Sequence, residues 1–207
     1  MLELLTELAG RKGTADCMTA IGLIGDPIST PLLLSRLEQP ETAAQAASAL
    51  NCMTAAGLYE TVFIPDEMDG DELLHSERAQ LMPDLHLDRG DGSPFGSTVR
   101  RLSQSPEDWD RWWKKNRNNF SAGVRYRNGQ PLSPLRLVNM LAGEQTRYEL
   151  RRYCSEELVM RYGRDIGFEI DMPVDRQITL LSNAALWADS SGRAYHEGAW
   201  YFAGLPI

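Results

Sequence analysis

The chain has 207 residues, 43% of them hydrophobic and 24% charged, with a formal net charge of −8 and a pI near 4.9. That composition is ordinary for a soluble globular protein and supplies a packed core, while the acidic balance opposes a nonspecific binder of duplex nucleic acid or of an anionic membrane. No apolar run approaches the roughly 18 residues of a membrane span, and the opening Met-Leu-Glu-Leu-Leu-Thr-Glu lacks the basic region and cleavage site of a secretory signal, so a cytoplasmic location is expected.

At the N terminus Leu2, Leu4, Leu5 and Leu8 share one face of a predicted helix. An apolar face with no preceding repeat to cover it makes Leu4 and Leu8 candidates for self-association or a partner interface. Met18, Ile21, Leu23 and Ile24 continue a helical pattern that breaks at Gly25-Asp26-Pro27 and resumes with Leu32, Leu33, Leu34 and Leu37. Asp26 can accept the free amide hydrogens of a new first turn, and Pro27 loses nothing there by lacking an N–H. Gln39-Pro40-Glu41 then starts a third helix, in which Ala43, Ala44, Ala46, Ala47 and Ala49 permit close approach to a neighbour.

Three parts follow from this punctuation: a helical block over 1–60, an irregular acidic linker over 61–104, and a second helical block with an aromatic tail over 105–207. In the linker, Leu73, Leu74, Leu81, Met82, Leu85 and Phe95 offer apolar anchors for partial packing. Ser105-Pro106-Glu107-Asp108 is the strongest helix start in the chain. Trp109, Trp112 and Trp113 fall at i, i+3 and i+4 and read as a packed seam, with a partner anchor as the sharper alternative. Asn128-Gly129 marks a tight turn, Ser133-Pro134 starts a short helix ending near Gly143, and Leu150, Cys154, Leu158 and Tyr162 form a stripe that stops at Gly163. Pro173 begins a last helix through Ile178, Leu181, Ala185 and Leu186, followed by Trp187, Tyr195, Trp200, Tyr201 and Phe202, a tail suited to capping or docking on the helices.

The chemistry-bearing motifs are missing from this order. Gly10 and Gly13 lack the spacing and the Gly-Lys-Ser/Thr ending of a phosphate loop, and residues 66–77 do not place oxygen ligands at the first, third and fifth positions of a calcium loop. His75, His86 and His196 have no metal-ligand spacing, and Cys17, Cys52 and Cys154 read as buried thiols rather than disulfides or zinc ligands. No serine sits in a nucleophile elbow. The expectation is a chain without catalytic residues, metal or cofactor, that is, not an enzyme.

Residues 20–50 resemble a HEAT-like repeat. Together with Trp112–Trp113, the Gly-x-Arg-Tyr element Gly123–Tyr126 and the Gly-x-Gln-x-x-Arg element Gly143–Arg147, the chain resembles bacterial HEAT-repeat proteins encoded beside type VI secretion genes. The resemblance implies an all-α fold of stacked HEAT-like hairpins, an α-solenoid, and an accessory role as adaptor or chaperone. A non-enzymatic scaffold binding a protein partner (a secretion component, an effector or a toxin) is the leading reading, with Leu4, Leu8, Trp109, Arg125, Arg147 and Arg151 as candidate interface residues. The alternative is an immunity protein, whose acidic surface blocks a basic toxin site. A helical-repeat nucleic-acid binder ranks third, motivated by Trp109, Trp112, Arg125 and Arg127 and weakened by the net charge.

Overall fold

The computed structural model describes residue 7 and residues 15–66, 95–144 and 146–207. Leu4 and Leu8 lie outside the described residues, as do most of the acidic run and the pair His75 and His86.

Helix α1 (Ala15–Ile24) ends at the Gly-Asp-Pro break, and a 3-10 turn (Pro27–Ser29) leads into α2 (Thr30–Arg36). Asp26 caps the turn as its position demands, Oδ1 accepting the Ile28 N–H at 3.0 Å. Helix α3 (Pro40–Thr54) turns its alanines inward: Ala43, Ala46, Ala47 and Ala49 are buried beside Leu50 and Met53. These pack with Met18, Ile21, Leu33 and Leu37 into a first core.

Beyond this unit the all-α solenoid does not hold. Among the described residues, seven helices are joined by three antiparallel two-stranded sheets, a mixed architecture. Strands β1 (Tyr59–Pro65) and β2 (Gly96–Leu102) pair in register from Tyr59 opposite Leu102 to Pro65 opposite Gly96, starting at the end of the block expected to be helical and otherwise within the segment expected to be irregular. The physical reason lies in Tyr59, Thr61, Val62, Phe63 and Ile64, aromatic and β-branched residues that fit a pleated surface better than a helix. Val62 faces Val99, and on the same side Glu60 and Arg101 form an ion pair at 2.8 Å.

Helix α4 (Pro106–Asn116) is capped by Ser105, whose hydroxyl accepts the Asp108 N–H at 3.2 Å. Trp109 is 1% exposed, belongs to the first core, and donates its indole N–H to the Ser103 carbonyl at 2.7 Å. Trp112 and Trp113 are half-buried and stack against Phe120, which in turn meets Tyr126 edge-on. Strands β3 (Tyr126–Arg127) and β4 (Gln130–Pro131) follow, then α5 (Pro134–Ala142), α6 (Tyr148–Tyr162), α7 (Val174–Asp189) and the terminal pair β5 (Tyr201–Phe202) and β6 (Leu205–Pro206). Leu137, Val138, Leu141, Cys154, Leu158 and Ala184 centre a second core, onto which the aromatic tail docks through Tyr201. No described helix is long and apolar enough to cross a membrane.

The two short hairpins share a device. Asn128 and Gly129 both have positive φ, and so do Ala203 and Gly204, the geometry of a two-residue turn that follows strand twist. Each turn presses two successive N–H groups onto the open carbonyls of a 15-residue helix: Asn128 and Gly129 onto Cys52 and Met53 of α3, Ala203 and Gly204 onto Met160 and Arg161 of α6, all at 2.7–2.9 Å. The sequence around them repeats as Gly-x-x-Tyr-x-x-Gly-x-Pro at 123–131 and 198–206.

Replacing Trp109 with alanine removes a buried ring and orphans the Ser103 carbonyl, so a loss of about 3–5 kcal/mol is expected in chemical denaturation. Trp112→Ala and Trp113→Ala, at half-buried positions, are expected to cost clearly less in the same measurement.

Candidate functional site

The site begins with the Gly-Asp-Pro break. Gly25 has φ +74°, and a Cβ there would lie 2.1 Å from the Tyr126 carbonyl oxygen, so only glycine fits. Tyr126 N–H donates to the Gly25 carbonyl at 2.8 Å, and Gly123 N–H donates to Asp26 Oδ1 at 3.2 Å. The break in the first helical unit and the Gly123–Tyr126 element are thus two halves of one joint.

Two arginines drive through that joint. Arg125 Nε donates to the Ile24 carbonyl at 2.8 Å, while Nη2 of Arg125 and Nη2 of Arg127 both donate to the Leu23 carbonyl, at 3.0 and 2.6 Å. These are last-turn carbonyls of α1, where the helix dipole favours positive charge. Arg127 Nη2 also donates to Glu157 Oε1 of α6 at 2.6 Å, and Arg161 Nε donates to Glu157 Oε2 at 2.6 Å. Both Arg125 and Arg127 are fully buried and Glu157 nearly so. Burial holds the Glu157 carboxyl above the usual carboxylate range, the charge and hydrogen bond of Arg127 offsetting only part of that rise. Burial is the largest influence on Arg127 and opposes its charge, but the charge and hydrogen bond of Glu157 together with Cys52 and Cys154 outweigh it and keep the guanidinium protonated. Arg125 stacks over the Trp200 ring at 4.6 Å, which shields part of a guanidinium whose Nη1 has no hydrogen-bond partner among the described residues.

Above the joint lies a groove. Two adjoining cavities, about 430 and 610 Å³, share Ala44, Ser48, Cys52, Arg147 and Leu150. Ala44, Ser48 and Cys52 recur at i+4 along α3 and present a face of small side chains, which α6 does not fill. One end of the groove reaches Leu23 and Tyr153; the other reaches Tyr59, Arg100, Arg101 and Leu102. Arg101 is paired with Glu60, and Arg100 lies over the Tyr59 ring at 4.2 Å. Neither Arg100 nor Arg147 has an acidic partner among the described residues. Burial raises the thiol of Cys52, and raises that of Cys154 to about 12, so neither is a thiolate nucleophile at neutral pH. Among the described residues no group of three or more His, Cys, Asp or Glu side chains could hold a metal ion. The groove offers an apolar floor and guanidinium charge, with one carboxylate, Glu149, at the Leu23–Tyr153 end, so its Arg100 end suits binding of acidic or mixed acidic and apolar groups.

The structure separates the sequence candidates. Arg147 lines the groove, and Arg151 stands behind it, donating to the Gly143 carbonyl at 2.7 Å and fixing the α5–α6 connection. Trp109 and Arg125 face inward and serve packing and the joint. Because Arg125 and Arg127 bind carbonyls and a carboxylate inside the protein, they offer no phosphate-binding surface, and of the residues that motivated a nucleic-acid reading only Trp112 stays partly exposed. Sequence reasoning passed over Arg100, Ser48 and Glu157. The i+4 spacing of Ala44, Ser48 and Cys52 was a usable signal for the groove; nothing near Glu157 in the chain announces that its partner lies at 127.

Removing one member of the buried pair strands the other. Arg127→Ala is expected to cost about 3–5 kcal/mol in urea unfolding, whereas the paired substitution Arg127→Met with Glu157→Gln recovers much of that loss.

Comparison of the chain with protein-family models, with curated proteins and with solved structures finds no match.

Proposed function

We propose that the chain is a non-enzymatic protein-binding adaptor or chaperone that engages its partner in the groove between α3 and α6. The observation that carries this reading is the groove itself: an open trough with a floor of Ala44, Ser48 and Leu150, flanked by two arginines, Arg100 and Arg147, that form no ion pair among the described residues. In a chain of net charge −8, basic side chains gathered at one concave place support selective attraction of an acidic partner segment. The partner proposed is a secretion component, effector or toxin, and the setting proposed is the cytoplasm and type VI secretion; support for that setting is the resemblance of the Trp-Trp, Gly-x-Arg-Tyr and Gly-x-Gln-x-x-Arg elements alone. An immunity role is the second reading, favoured by the acidic overall charge.

A photo-crosslinking amino acid placed at Ser48 in producing cells tests the reading. An adduct with a protein is expected from Ser48 and not from the exposed control position Arg193, and Arg147→Glu is expected to reduce it severalfold. Equal adducts from both positions, or none from either, overturn the proposal; a cognate toxin in the adduct selects the immunity role.

A further inference from the structure

The groove has a wall of unusual character. Arg100, Arg101 and Leu102 are consecutive in β2, and consecutive strand residues point to opposite faces, yet all three line the same cavity. Tyr59, Arg100 and Leu102 present one face of the sheet to the cavity, and Arg101, whose side chain lies on the opposite face with Glu60, borders it too, so the cavity runs from that face around the outer edge of β2. Which backbone groups that edge presents follows from the register. Ser103 N–H donates to the Leu58 carbonyl at 2.8 Å and Asp66 N–H to the Phe95 carbonyl at 3.2 Å, so the pairs 58 with 103 and 66 with 95 are hydrogen-bonded pairs. In an antiparallel ladder bonded and non-bonded pairs alternate. The non-bonded pairs are therefore 59 with 102, 61 with 100, 63 with 98 and 65 with 96. On β2 the N–H and C=O groups of Thr98, Arg100 and Leu102 point outward, and no backbone bond to them is made among the described residues.

We propose that β2 receives a third strand: an extended, acidic segment of the partner protein adds antiparallel or parallel along the outward groups of Thr98, Arg100 and Leu102 and lies in the groove. This rests on the protein-binding reading above and names the chemistry of its partner. A two-stranded sheet standing alone is marginal, and an open edge is a template for another chain. Strand addition supplies main-chain bonds for affinity, while side-chain positions supply choice. Here the choice is for acids, because Arg100 and Arg147 lack carboxylate partners among the described residues, and for small apolar residues, because Ala44, Ser48 and Leu150 form the floor. The opposite edge, at Tyr59, Thr61 and Phe63, belongs to β1 and offers no arginine.

The test uses the full chain and a labelled synthetic peptide of alternating glutamate and valine, roughly eight residues long to match a seven-residue strand. Residue-resolved amide exchange by NMR reads the alternation directly. With peptide bound, exchange at Thr98, Arg100 and Leu102 is expected to slow by about tenfold or more, while Ser97, Val99 and Arg101, already bonded to β1, stay unchanged. Arg100→Glu and Arg147→Glu are each expected to weaken binding by about tenfold, and a peptide N-methylated at alternate residues is expected not to bind. Binding without slowing at the three outward amides overturns strand addition, as does slowing at Tyr59, Thr61 and Phe63 instead. Outward amides already slow without peptide would mean the edge is covered within the chain, and slowing that grows with protein concentration alone would make the occupant a second copy; either result overturns the proposal. If the peptide fails while the Ser48 adduct persists, this inference falls and the protein-binding reading stands; if both fail, both fall.

Discussion

The buried contact of Arg127 with Glu157 is the constraint around which the molecule is arranged. A guanidinium and a carboxylate taken out of water are costly unless each finds charge and hydrogen bonds, and here they find both in each other at 2.6 Å. The same guanidinium nitrogen reaches the end of α1, and Glu157 also holds Arg161 one turn further along α6, so one acid of α6 gathers two arginines, of which Arg127 is bonded to the first helical unit as well. The two hydrophobic cores are thereby joined through a polar pin. Such a pin fixes position more sharply than apolar packing does, because a shift of an ångström strands charge in the interior.

From that pin the groove follows. The units meet through the β3–β4 hairpin, which presses on the C-terminal carbonyls of α3 and threads its arginines under the end of α1. Because contact is concentrated at helix ends, the face of α3 carrying Ala44, Ser48 and Cys52 is left uncovered along its length. Hairpin and groove are two consequences of one choice: closing helix ends with turns in place of stacking helix on helix. A solenoid would bury that face against the next repeat. The terminal hairpin repeats the device on α6, and its Trp200 ring returns to cover Arg125. The two hairpins are thus mechanically connected, and Arg125 N–H completes the link by donating to the Gly198 carbonyl at 2.9 Å.

Much of the local structure was legible from residue to residue. Asp26, Ser105 and Ser133 each cap where the sequence places them, Gly163 ends α6 in the left-handed conformation, and Asn128-Gly129 turns the chain as that dipeptide does. The stripe Leu150, Cys154, Leu158 and Tyr162 forms part of the second core. Two readings went astray for one reason. The helical rhythm of residues 18–50 suggested continued stacking, and the acids after Tyr59 suggested irregular chain; β1, however, finds its partner beyond a stretch longer than either strand, at Gly96–Leu102. A pairing at that separation leaves no periodic mark between its strands. The repeated Gly-x-x-Tyr-x-x-Gly-x-Pro was present in the sequence and would have announced the hairpins.

The sequence by itself determined the caps, turns and helix spans, because each rests on groups a few residues apart whose bonds form whatever the rest of the chain does. Tertiary structure alone decided that Arg125 and Arg127 are internal, that Arg147 and Arg100 border one groove, and that the outward groups of β2 are those of Thr98, Arg100 and Leu102. An arginine reads identically in sequence whether it meets solvent or a buried carboxylate. What separates the two is the position of Leu23 and Glu157, 104 and 30 residues away from Arg127 along the chain, and those distances close only when the desolvation cost of the charge is offset by all of its partners at once.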